Sequence, residues 1–185
     1  MSDWFYYSPG FENQNEIKDE LFQMFLDTCW PYVDYFTFTS CADYHVSVER
    51  RYGDFCALKK ELSSCFAGRI TRNEWFGYGA GSSEMCIYRY HAEKKAKDII
   101  LSCYRDIFMT MPIDKPNLKN LRRFDDLCLF SKRKLFFGSI SHESEAFLYP
   151  LTQQMLSLIS SIGMWEPCKW RNEKDRRNID KYNWT

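Results

Sequence analysis

The stretch RFDDLCLFSKRKLFFGSISHESEAFLYP, Arg123 to Pro150, decides the fold. It holds three runs rich in aromatic and aliphatic residues, RFDDLCLFSKR, KLFFGSISHE and SEAFLYP, separated by short polar breaks. Short apolar runs bounded by turn-forming polar residues read as strands. The stretch is therefore a β-meander, with neighbouring antiparallel strands over 124–131 and 134–141. The second break carries Ser141, His142 and Glu143 side by side. A Ser-His-acid triad is assembled from residues distant in the chain, because three neighbours on one strand cannot converge. Ser141 and His142 alternate to opposite faces if the strand continues, and no G-x-S-x-G elbow is present. Ser141-His142-Glu143 thus reads as a hairpin tip, with Glu143 and Glu145 solvated.

Working outward, residues 12–29 carry Ile17, Leu21, Met24, Phe25 and Cys29 at helical spacing, and Pro31 ends that helix. DYFTFTS and YHVSVER alternate and read as a hairpin around Cys41–Asp43. GDFCALKKELSSCFAG is a second helix with Gly68 as its C-cap. RITRNEWFGYGAGSSEMCIYRY reads as two strands around a glycine-rich turn. HAEKKAKDIILSCYRDIFMTM is a third helix, its apolar face running from Ala92 to Phe108. After the meander, Thr152 caps LTQQMLSLISSIG and Gly163 ends it. The order α-ββ-α-ββ-α-βββ-α predicts an α+β fold: an antiparallel sheet of hairpins and a C-terminal β-meander with about four helices packed on it. Residues 1–164 form one α+β domain, and 165–185 a basic and aromatic C-terminal tail.

Composition narrows the function. Apolar residues make up 45% of the 185 and aromatics 18%, enough for a sizeable core. Acidic and basic residues balance at 25 each, which removes the basic excess that a general nucleic-acid binder uses. The tail segment CKWRNEKDRRNIDKYNW interleaves basic residues with Trp170, Tyr182 and Trp184, a pattern that can grip single strands, but its acidic residues dilute the signal. The N-terminus shows no signal-peptide pattern, and no apolar run reaches membrane-spanning length. A cytoplasmic protein is expected, with its eight cysteines reduced and packed as small hydrophobes. No two cysteines stand closer than nine positions, and the three histidines form no ligand pair, so neither a metal nor a cofactor is expected.

Two constellations carry an enzymatic or ligand-binding alternative. The turn GYGAG, Gly77 to Gly81, looks like a phosphate loop, but a strand follows it where a phosphate site needs a helix N-terminus. Cys128 lies on a strand neighbouring that of His142, so a thiol nucleophile and an imidazole base could meet. The sequence Leu127-Cys128-Leu129-Phe130 argues for a buried thiol instead. Asp125 and Asp126 are adjacent, point opposite ways in a strand, and read as a strand-entry turn. The aromatic run Trp4 to Tyr7 needs burial and completes the core.

The pieces WFG, CIYRY, MPIDKP, DDLCLF and SISHE resemble a layout found in small uncharacterised bacterial proteins, across the middle and C-terminal two-thirds of the chain. Where those proteins carry Pro-Glu before Asp-Leu-Cys, this chain has Phe124-Asp125. In style they are similar to bacterial toxin-immunity proteins. The resemblance implies no established activity; an α+β core with no coherent catalytic set points to a non-enzymatic protein-binding module with a cognate protein partner, a toxin domain among the candidates. Trp75, Tyr78, Trp170 and Trp184 are the aromatic contact residues expected.

Overall fold

In a computed structural model the described residues are 4–9, 17–41, 57–77, 84–109, 125–169 and 179–183. Eight strands form one antiparallel sheet. They are β1 (Phe5–Tyr7), β2 (Tyr35–Cys41), β3 (Phe66–Arg72), β4 (Met85–His91), β5 (Asp125–Ser131), β6 (Lys134–Ile140), β7 (Glu145–Leu148) and β8 (Glu166–Pro167). Their order across the sheet is β3-β4-β2-β5-β6-β7-β1-β8. Four α-helices lie among the described residues: α1 (Glu20–Cys29), α2 (Ala57–Glu61), α3 (Lys94–Cys103) and α4 (Gln153–Ile159). The fold is α+β, and β5-β6-β7 form the meander read from Arg123–Pro150.

Alternation along each strand divides the side chains between two faces. Phe36 and Phe38 of β2, Tyr88 and Tyr90 of β4 and Phe137 of β6 join the helix-side core. Phe22, Phe25, Leu26 and Cys29 of α1, at helical spacing, close over them. Phe25 meets Phe137 with ring centres 4.9 Å apart, and Phe36 stacks on Tyr90 at 5.3 Å. The opposite face holds a second, smaller core of Ile87, Cys128, Phe130, Leu135 and Ile140, covered by Trp75 and Phe76. Thr152 caps α4 as expected, its Oγ1 accepting from the Met155 N–H at 3.2 Å.

Several expectations change. β2 pairs along its length with β4 and over most of it with β5, so both its edges are occupied. It is a central strand; its expected hairpin partner, residues 44–50, lies outside the described residues. Gly68 does not cap a helix. α2 tightens into a 3₁₀ turn over Leu62–Cys65, and β3 has already begun at Phe66. Gly68 instead supplies φ 144° where the β3–β4 register slips. α3 ends at Cys103, short of Phe108, and Asp106 then accepts from the Phe108 N–H at 2.8 Å. That side-chain bond competes with the helix, while Ile107 and Phe108 stay buried through the turn. The aromatic run at Trp4–Tyr7 becomes an inserted strand, β1, between β7 and β8. The C-terminal segment supplies β8 and a 3₁₀ turn over Ile179–Tyr182, which packs on the second core through Tyr182.

Candidate functional site

Ser141-His142-Glu143 occupies the turn between β6 and β7. Its anchor is Asp126, completely buried on β5 with φ 57°. The Asp126 carboxyl group accepts from the Thr39 hydroxyl at 2.6 Å and from the Ser141 N–H at 2.7 Å. In return the Asp126 N–H donates to Ser141 Oγ at 3.0 Å. Asp126 therefore ties the turn to both β5 and β2, and the Ser141 hydroxyl is engaged with backbone. The His142 side chain is half exposed, its Nε2 3.4 Å from Glu143 Oε1.

Cys128 is not brought to His142. Cys128 stands opposite Gly138, and His142 lies four positions farther on, in the exposed turn. The thiol is fully buried against the Thr37 hydroxyl and the Trp75 indole. Burial pushes it well above the usual thiol range; the nearby Asp126 carboxyl pushes the same way, against the pull of Thr37 and Trp75. A nucleophilic cysteine needs the opposite, a stabilised and reachable thiolate. The Cys128/His142 alternative is corrected on both burial and separation.

Trp75, expected at a contact surface, is 1% exposed. Its ring meets Tyr182 edge-on at 5.6 Å and roofs the second core. Gly77, the first glycine of the GYGAG turn, adopts φ 83°, and a Cβ there would come within 2.7 Å of Ile140. Its need is steric: the chain passes close over β6. Tyr78, Gly79, Gly81, Trp170 and Trp184 lie outside the described residues. Among the described residues no His, Cys, Asp and Glu cluster is suited to hold a metal, and no helix is long and apolar enough to cross a membrane.

A concave feature of the described surface lies elsewhere. A groove of about 600 Å³ opens between Trp4, Tyr32, Tyr149 and the β5–β6 turn. Trp4 precedes β1 and Tyr149 follows β7, so antiparallel pairing of these strands brings the two rings to 5.9 Å. Tyr32 enters from the 3₁₀ turn after α1. Tyr32 and Leu151 on the groove wall are each 37% exposed, high for large apolar side chains. The rim is basic. Ser131 pairs with Lys134, leaving Lys132 and Arg133 as a two-residue turn with φ 49° and 65°. Positive φ at both central positions is the type I′ pattern, normally filled by Asn and Gly. Here two long cations take it, strained at about 1 kcal/mol each. Asp34 holds the strained turn, its carboxylate accepting the Lys132 N–H. Lys132, Arg133 and Lys134 are exposed, and none makes an ion pair among the described residues.

The chain matches no family model, no curated protein and no solved structure.

Sequence reasoning passed over this groove. Its walls come from residues 4, 32, 149 and 151, which no motif connects. Only the charge run Lys132-Arg133-Lys134 was visible, and a charge run is most often a solvated turn.

Proposed function

We propose that the chain is a non-enzymatic protein-binding module whose contact surface is the groove at the β5–β6 end of the sheet. The observation that carries this reading is the juxtaposition of exposed Tyr32 and Leu151 with Lys132 and Lys134, two cations that have no ion-pair partner among the described residues. Aromatic walls ringed by charge are the composition of interface hot spots. The resemblance to toxin-immunity proteins extends the proposal to a cognate toxin domain, held and occluded by the module. A cytoplasmic setting is part of the same reading, supported by the buried free thiols of Cys29, Cys65, Cys86 and Cys128.

Co-elution of the purified protein with the product of the adjacent gene on size exclusion tests it. A stable complex that protects cells from that product is the expected result. Failure to co-elute at micromolar concentrations, with no protection, would sink the proposal.

A further inference from the structure

We infer that the groove receives an acidic peptide segment of the partner, with one aromatic or large apolar side chain seated between Trp4, Tyr32 and Tyr149 and flanking carboxylates meeting Lys132 and Lys134. The inference rests on the protein-binding reading and names the chemistry of the partner.

Two observations favour a peptide over a phosphate-bearing ligand. The first is the state of the backbone donors. Phosphate sites are built from unspent N–H groups converging in a nest or at a helix N-terminus. Around this groove four of those groups are committed. The Lys132 N–H goes to Asp34, and the Leu135 N–H to Asn183 Oδ1 at 2.9 Å. The Tyr149 N–H goes to the Phe136 carbonyl at 2.7 Å, and the Met155 N–H to Thr152. What remains cationic on the lining is two lysines at separate positions of the hairpin, Lys132 and Lys134. Two long, separately mounted cations suit several carboxylates along a chain better than one compact dianion.

The second observation is the strain. Lys132 and Arg133 hold left-handed backbone that a glycine would take at no cost, and Asp34 pins it. Such outliers point to function where the side chain is needed at that place. Of the two, Lys132 lines the aromatic-walled groove, where exposed Tyr32 and Leu151 offer an apolar seat.

Fluorescence anisotropy with three labelled peptides of equal length tests the inference. One carries a central tryptophan among glutamates, the second has glutamine for every glutamate, and the third has alanine for the tryptophan. The first should bind at least about tenfold more tightly than either control, and its affinity should fall between about 50 and 300 mM salt. The double variant K132E/K134E, with an unchanged circular dichroism spectrum and melting temperature, should lose about tenfold or more. Y32A, at an exposed position, should weaken the tryptophan peptide and leave the alanine peptide unmoved. Equal binding of the glutamine peptide, or unaltered binding by K132E/K134E, would overturn the inference. So would tighter binding of ATP or of phosphatidylserine vesicles than of the acidic peptide. If the adjacent gene product still co-elutes while the peptides fail, this inference falls and the protein-binding reading stands. If neither binds, both fall.

Discussion

Asp126 is the most constrained polar residue among the described ones. It is buried, left-handed, and bonded to Thr39 and to both backbone and side chain of Ser141. Removing its carboxyl group strands a buried hydroxyl and a backbone N–H, each costing about 1–3 kcal/mol. Asn tolerates the left-handed region and keeps an acceptor for Ser141, while the Thr39 hydroxyl can rotate to accept from the new amide. D126A should therefore destabilise by about 2–4 kcal/mol and D126N by about 1 kcal/mol or less, measured by urea unfolding. Equal losses would mean that the carboxyl group is not the anchor. In the sequence Asp126 was visible only as half of an acidic pair. Its partners, Thr39 and Ser141, lie 87 and 15 positions away. No local pattern encodes a bond across that distance.

At the scale of the element, the β5–β6 hairpin sets local preference against the conformation adopted. The polar break between the two strands was readable, and so was the pairing. The turn type was not, because Lys-Arg gives no signal for positive φ. K132N/R133G should stabilise the protein by about 1–2 kcal/mol by relieving that strain. The same change should weaken acidic-peptide binding by removing two cations. Opposite movements of unfolding midpoint and affinity are the signature sought; a stabilised protein with full affinity would assign the binding to another surface. Gly138 lies within β6 of the same hairpin. A Cβ there would come within 2.5 Å of the Phe76 ring, so glycine is the residue that lets the segment carrying Trp75 lie flat on the sheet.

Across the whole molecule, the sheet separates two apolar cores, and each buries a cysteine. Cys29 lies on the helix side and Cys128 beneath Trp75. Burial raises both thiols above the ordinary value of 9.0, Cys128 with a further push from Asp126. The folded state therefore holds protons that the unfolded chain releases, so the stabilisation is complete below about pH 9 and lost above it. Stability should fall with a slope approaching about 1.4 kcal/mol per pH unit for each thiol as pH rises past 9. Urea unfolding across that range, compared with C29A/C128A, isolates the thiols from tyrosines, since Tyr6 and Tyr182 are also shifted upward, chiefly by burial. An unchanged slope in the double variant would refute the assignment. What the sequence by itself determined was the class: alternating runs and helical stripes dictate strands and helices, and a sheet with helices on it follows from burying them. It also determined that Cys128 packs rather than reacts, because its strand is apolar on both sides. Only the tertiary structure decided that β2 lies between β4 and β5, that β1 inserts between β7 and β8, and that Trp4, Tyr32 and Tyr149 surround one groove. Local composition sets which face of a strand is buried, but strand order depends on the free energy of the whole packed sheet, to which residues far apart in the chain contribute together.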